Sequence, residues 1–301
     1  MTPLPGGRTR MQLVGMTPPS AGLLTVNGTV LWVEDSGGDG PPLLFSHGLL
    51  MSGRMFDAQV AALQGHYRCI RWDHRGQGRS ADVSGRAITI EQVTEDAVAL
   101  IRALALPPVH FVGLSMGGFV GMRLAARHPA LLRSLALLDT SADAEPAENV
   151  PRYRLLNAIV RWLGIRWVVG RVMPIMFGRT FLSAPAKAAD RAHWRAQLAG
   201  NRPSIYRAVN GVVERDGVAH ELGNIQCPTL VLVGEEDVAT VPAKSERIRD
   251  LIAGVELVRI PGAGHSSSVE QPEAVTAALA KFLDRVDASP QPPGGAGLLR
   301  A

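Results

Sequence analysis

The sequence predicts an α/β fold: a mostly parallel sheet flanked by helices, with a helical segment inserted late in the chain. Three observations lead there. Short apolar strands without polar alternation, Pro42–Ser46 and Leu135–Asp139 among them, read as buried on both faces, which is the habit of parallel sheets. Such strands alternate with helical patterns up to residue 140 and again from residue 228, the rhythm of strand–helix–strand units with right-handed crossovers. Between these two stretches, residues 141–215 show helical spacing broken by Pro151, Gly164, Pro174 and Pro185, and no strong strand.

Taken in order, residues 1–21 read as a loose leader. Leu23–Val26 and Thr29–Glu34 flank Asn27-Gly28, a pair that favours the tight turn of a β-hairpin. Ser36–Gly40 is loop, and the apolar strand Pro42–Ser46 runs into His47-Gly48-Leu49-Leu50, with a helix expected from near Ser52. Tyr67–Trp72 is the next strand. The loop after it, Asp73-His-Arg-Gly-Gln-Gly-Arg-Ser80, is glycine-rich but lacks the Lys-Ser/Thr helix start of a phosphate-binding loop. Residues 90–104 place Val93, Ala97, Leu100 and Ile101 at helical spacing. The strand His110–Val112 then meets Gly113-Leu-Ser-Met-Gly117 and a helix through Arg127. After the helical segment come the strand Pro228–Gly234, a helix over 242–253, the strand Glu256–Ile260, a loop bearing His265 and a last helix over 272–286. Residues 287–301, rich in Pro and Gly, read as a disordered tail. The expected organisation is therefore a core from 22–140 and 216–286, with 141–215 as an inserted helical cap.

Composition narrows the function. A hydrophobic share of 46% and a charged share of 19% suit a globular domain with a sizeable core. No apolar run is long enough to span a bilayer, and the first residues lack the compact apolar block of a secretory signal, so the expectation is a cytoplasmic chain with no membrane partner. Cys69 and Cys227 are the only cysteines and read as reduced thiols. They offer no closely spaced metal-ligand set, and no cofactor is expected. The net charge is +4, yet residues 146–215 alone hold 12 Arg/Lys against 3 Asp/Glu, which leaves the rest of the chain at −5. Without the aromatic–basic interleaving of a nucleic-acid module, this excess reads as a solvated helical face, and no nucleic-acid partner is expected.

Gly113–Gly117 fits the pattern G-x-S-x-G at a strand-to-helix junction. The chemistry explains the spacing. A sharp turn lifts the Ser115 hydroxyl clear of the sheet, and bulk at the flanking positions would collide with neighbouring backbone. A serine hydroxyl needs a base within hydrogen-bond reach and a group that orients that base.

Several motifs in one order then carry a family resemblance. His47-Gly48, Asp73–Ser80, Gly113–Gly117, Gly234-Glu-Glu-Asp237 and Gly262-Ala-Gly-His265 together resemble the α/β-hydrolase superfamily across roughly residues 22–286. The subgroup it looks most like contains capped esterases and lactonases similar to 3-oxoadipate enol-lactonase, and cofactor-free haloperoxidases. The resemblance implies Ser115 as nucleophile, His265 as base and Asp237 as the acid that orients it, with Asp139 as the rival acid. It also implies an oxyanion hole from the backbone amides of Leu49 and Met116, with His47 shaping that loop. Ser at the elbow, rather than Asp, argues against dehalogenase or epoxide-hydrolase chemistry. The expected activity is hydrolysis of a small-molecule carboxylic ester or lactone through an acyl-enzyme. The alternatives are carbon–carbon bond hydrolysis, perhydrolase chemistry (disfavoured by Leu49, where an aromatic is common) and a receptor that binds without turnover. Met173, Met176 and Phe177, in the most apolar part of the insertion, are the candidate substrate-binding residues.

Overall fold

The computed structural model describes residues 19–289; the remainder of the expected leader and tail lies outside them. Eight strands form one sheet in the order β1-β2-β4-β3-β5-β6-β7-β8. The hairpin comprises β1 (Ser20–Val26) and β2 (Thr29–Asp35), joined by Asn27 and Gly28, both at positive φ. That is the backbone a two-residue turn needs to match strand twist. β1 begins inside the stretch expected to be leader, because Ser20 still pairs with Asp35. β2 meets β4 antiparallel, and every pairing from β4 to β8 is parallel.

The central strands β3 (Pro42–Ser46), β4 (Arg68–Trp72), β5 (Val109–Leu114), β6 (Leu132–Leu138) and β7 (Thr229–Gly234) are almost entirely buried, as runs without alternation should be. At the edge, β8 (Glu256–Ile260) is only partly covered. Helices α1 (Asp57–Leu63), α2 (Ile90–Ala103) and α3 (Met116–Arg127) follow β3, β4 and β5. α2 opens with a capping box. Thr89 Oγ1 accepts from Gln92 N at 3.1 Å, and Gln92 Oε1 accepts from Thr89 N at 3.0 Å. Such a cap contributes about 1 kcal/mol.

Between β6 and β7 the chain makes only helices: α4 (Val150–Leu163), α5 (Val169–Met176), α6 (Arg179–Ser183), α7 (Ala188–Ala199) and α8 (Tyr206–Val213), with short 3₁₀ turns between them. After β7 come α9 (Pro242–Leu251), α10 (Ser267–Glu270) and α11 (Pro272–Ala288). α11 runs past the expected start of the tail because Asp287 is held there. It pairs with Arg133 at 2.6 Å and accepts from the Tyr67 hydroxyl at 3.0 Å. The carboxyl ends of β3, β5, β6 and β7 all point to one edge of the sheet, where loops gather and where ligands bind in open α/β sheets. No helix among the described residues is long and apolar enough to cross a membrane.

Candidate active site

Ser115 stands where β5 ends and α3 begins, with φ at 52° and ψ at −111°, outside the ordinary regions for a residue with a side chain. The strained turn is held from both sides. Ser115 N donates to Leu138 O at 2.9 Å, and Thr140 Oγ1 donates to Ser115 O at 2.8 Å. Gly117 shows why the pattern needs glycine: a Cβ there would lie 1.9 Å from Ser46 O at the end of β3.

The structure brings Ser115, His265 and Asp237 together from three separate loops. His265 Nε2 lies 2.8 Å from Ser115 Oγ, and His265 Nδ1 lies 2.9 Å from Asp237 Oδ2. Asp237 is also gripped by its own turn. Its Oδ1 accepts from Ala239 N at 2.8 Å and Thr240 N at 3.0 Å, and its Oδ2 accepts from Thr240 Oγ1 at 2.8 Å. Burial alone would raise the Asp237 pKa, but the imidazole and the Thr240 donors outweigh it and hold the carboxyl below its usual range. Burial likewise works against an imidazolium at His265. The charge and hydrogen bond of Asp237, with Asp139 and Glu270 behind, overcome that and raise the imidazole above its ordinary value.

Asp139 makes no hydrogen bond to His265. It is fully buried at the end of β6, where Oδ1 accepts from Gly234 N at 2.8 Å and Oδ2 from Ser267 N at 3.2 Å. It thus supports the backbone on either side of the Asp237–His265 pair. Burial and then the Asp237 charge push its carboxyl up to about 8.

The two amides expected to face a developing oxyanion are both left over. Around Leu49, Gly48 N donates to Met55 Sδ, Leu50 N to Gln77 Oε1 at 2.9 Å and Met51 N to Gly48 O. Neither Leu49 N nor Met116 N has an acceptor among the described residues. Gln77, from the glycine-rich loop, reaches both sides of this region, since its Nε2 also contacts Met116 Sδ at 3.5 Å. His47 shapes the same turn: it lies 2.7 Å from Gly48 O through Nδ1, and its Nε2 accepts from His74 N at 2.8 Å.

A pocket of about 140 Å³ opens on Ser115 and His265. Its wall is chiefly apolar and comes from α4, α5 and α8, including Leu156, Val160, Val172 and Val209. Met176 lines it. Met173 and Phe177 do not, which corrects the expectation for both. Val172, Ile175 and Met176 share one face of α5, and Met173 turns away from it by helical geometry. Phe177 leaves the helix in extended conformation and stacks on Phe181, ring centroids 5.0 Å apart. One corner of the pocket is polar. Arg215 lies 4.2 Å above the Phe119 ring and pairs with Glu145 at 3.1 Å, so one cation of the insertion is buried beside the site rather than solvated. A larger cleft of about 380 Å³, bordered by charged groups such as Glu34, Arg71 and Arg202 and by apolar ones such as Trp32 and Trp194, contains none of Ser115, Asp237 or His265.

Sequence reasoning missed Thr240, Glu270 and Arg215. Glu270 is buried and accepts from Gly178 N at 2.8 Å, Gly264 N at 3.0 Å and Ser266 N at 3.0 Å. It joins the loop of His265 to the turn between α5 and α6 in the middle of the insertion, where a Cβ on Gly264 would lie 2.1 Å from Gly178 N. Nearby, Glu236 accepts from Thr180 N at 2.7 Å and Thr180 Oγ1 at 2.6 Å.

A serine on a strained strand–helix turn, hydrogen-bonded to a histidine that is hydrogen-bonded to an aspartate, on a sheet of this order, defines a class of hydrolases. The chain belongs to the alpha/beta hydrolase family, whose sequence profile matches residues 43–278. Among curated relatives, RutD of Caulobacter sp. (strain K31), provisionally named a carbamate hydrolase, is 30% identical over 264 residues, covering 86% of this chain and 97% of its own. Among solved structures, a thermophilic esterase from Thermogutta terrifontis is 30% identical with a TM-score of 0.81, covering 89% of this chain and 99% of its own. The enol-lactonase from Burkholderia xenovorans LB400 is 31% identical with a TM-score of 0.80, covering 87% of this chain and all of its own.

Proposed function

We propose that this hydrolase cleaves a small carboxylic ester or lactone through an acyl-enzyme on Ser115. The observation that carries the reading is the relay of 2.8 Å and 2.9 Å contacts from Ser115 through His265 to Asp237. Ser115 Oγ attacks the carbonyl carbon while its proton passes to His265 Nε2. Asp237 keeps the other imidazole proton on Nδ1 and stabilises the imidazolium as it forms. The amides of Leu49 and Met116 take the charge that develops on the carbonyl oxygen. The imidazolium then protonates the leaving oxygen, and water repeats the sequence to release the acid.

The helices of 141–215 act as the cap, and their apolar wall takes the acyl or ring portion of the substrate. The pocket's 140 Å³ is below the size of sites built for drug-sized ligands, which favours short groups. An esterase and an enol-lactonase among the structural neighbours are consistent with this substrate class. The test is labelling with a p-nitrophenyl phosphonate followed by intact-mass measurement. One adduct per chain is expected, and none on Ser115→Ala. A full adduct on that variant would refute the assignment.

A further inference from the structure

α4 carries two apolar stripes. One faces inward with Leu156 and Val160, which line the pocket. The other is formed by Leu155, Trp162 and Leu163, spaced i, i+7 and i+8, and it faces outward, with Ile159 between them half-buried against the core. Leu155, Trp162 and Leu163 are 63%, 75% and 59% exposed, and Trp167 in the next turn is 67% exposed. Single exposed apolar side chains are ordinary, but four large ones on a helix and its following turn make a patch with a purpose.

The charges carried by α4 and the turn after it have one sign. From Val150 to Ala189 there are seven Arg/Lys and no Asp/Glu. Arg161 sits over the Trp162 ring at 5.1 Å and Arg166 over the Trp167 ring at 6.0 Å, and both arginines are exposed. On the flank, Arg154 lies 3.9 Å from Glu214. A second copy of the chain docking symmetrically would set arginines against arginines, so self-association is not what this surface fits.

We infer that the outer face of α4 and the turn after it docks on the surface of a bilayer containing anionic lipids. Trp162, Trp167, Leu155 and Leu163 enter the headgroup region, and the arginines engage lipid phosphates. Tryptophans are at home at that depth, and an amphipathic helix with basic flanks lies in the plane of the interface. This revises the expectation of no membrane partner drawn from the sequence. The contact is peripheral, and it does not depend on the proposed ester chemistry. If both hold, the same helix that walls the pocket rests on the membrane, and the substrate reaches Ser115 from the lipid side.

The test uses the full chain and sedimentation with large vesicles, either phosphatidylcholine alone or with roughly one quarter phosphatidylglycerol. Partition onto the anionic vesicles should be at least about tenfold stronger than onto neutral ones, and it should fall as salt is raised. Arg161→Gln with Arg166→Gln should weaken it by about fivefold per residue, some 25-fold together. Trp162→Ala with Trp167→Ala should weaken it at any salt. Both double variants should keep the parent's melting temperature and its turnover of a soluble p-nitrophenyl ester. Ser115→Ala should bind vesicles as the parent does, which separates this inference from the catalytic one. Absence of binding to anionic vesicles, or full binding by both double variants, would overturn it. So would a dimer of the parent that Trp162→Ala with Trp167→Ala converts to monomer, since the face would then belong to a second copy.

Discussion

Replacing Asp237 by Asn tests the relay most sharply, because the surroundings dictate how the amide must sit. Asp237 Oδ1 faces Ala239 N and Thr240 N, two groups that can only donate. The carboxamide oxygen has to take that place. Its nitrogen then occupies the Oδ2 position, against His265 Nδ1 and Thr240 Oγ1. The hydroxyl can rotate to accept, so the turn survives and the fold should be kept. The imidazole has no such freedom. With an N–H now pointing at Nδ1, that nitrogen becomes the acceptor, and the ring proton moves to Nε2, the atom 2.8 Å from Ser115 Oγ. A protonated Nε2 cannot take the serine proton. The expected loss is about 10⁴-fold in kcat, or about 5 kcal/mol of transition-state stabilisation, with KM little changed. The assay is steady-state hydrolysis of p-nitrophenyl butyrate from pH 5 to 9, with circular dichroism to show folding. Asp139→Asn, which leaves the contact to His265 untouched, should lose far less. A loss within about tenfold for Asp237→Asn, or a larger one for Asp139→Asn, would refute the assignment of the acid.

Other perturbations bear on the same site. Because Asp237 outweighs burial and raises the His265 pKa, and because only the free imidazole is a base, kcat/KM should rise with pH through a midpoint above the ordinary histidine value. A midpoint below that value would contradict the electrostatics, and the midpoint should fall in any Asp237→Asn activity that remains. Met176→Ala should shift preference toward longer acyl chains without abolishing turnover, since it removes one wall of a 140 Å³ pocket. An unchanged profile from acetyl to decanoyl esters, with only a lower melting temperature, would leave Met176 as packing. Gly117→Ala places a methyl 1.9 Å from Ser46 O, and the elbow should open at a cost of about 3 kcal/mol, lowering Tm by about 6–10 °C. An unaltered melt would show that β3 and the elbow can part freely.

The strands and the parallel character of the sheet were legible because buried parallel strands read as unbroken apolar runs and crossovers read as helices, whereas the order of strands in the sheet was not. The sites of Ser115, Asp237 and His265 were legible because each lies in a short motif bounded by glycine. Their partners were not. Thr240 is an ordinary turn threonine until its hydroxyl is seen on Asp237. Glu270 sits in Ser-Val-Glu with nothing to mark three backbone donors converging on it. Arg215 was one basic residue among twelve, and nothing local distinguishes a guanidinium stacked on Phe119 from eleven others. Met173 went astray because neighbours in an apolar run were taken to share one destination, whereas a helix separates adjacent residues by about 100°, and Phe177 because the helix ends before it and the chain leaves in extended conformation. The outer stripe of α4 was hidden for the same reason: its inner stripe already accounted for the apolar spacing.

Glu270 has a mechanical consequence. One carboxylate bonds Gly264 and Ser266, which bracket His265, and also Gly178, where the insertion turns from α5 to α6. Glu236, next to Asp237, grips Thr180, two residues beyond Gly178. The α5–α6 turn of the insertion is therefore bolted to the loops that hold the base and its acid. A second set of ties holds the other side of the insertion, where Ile88 N donates to Arg207 O at 2.9 Å and Asn201 Nδ2 to Leu50 O at 2.8 Å. Excising the insertion would strip Glu270 of a donor and leave a charge under the imidazole without its third restraint. A core cut free of residues 141–215 would keep only two of the three donors that hold Glu270 beside His265.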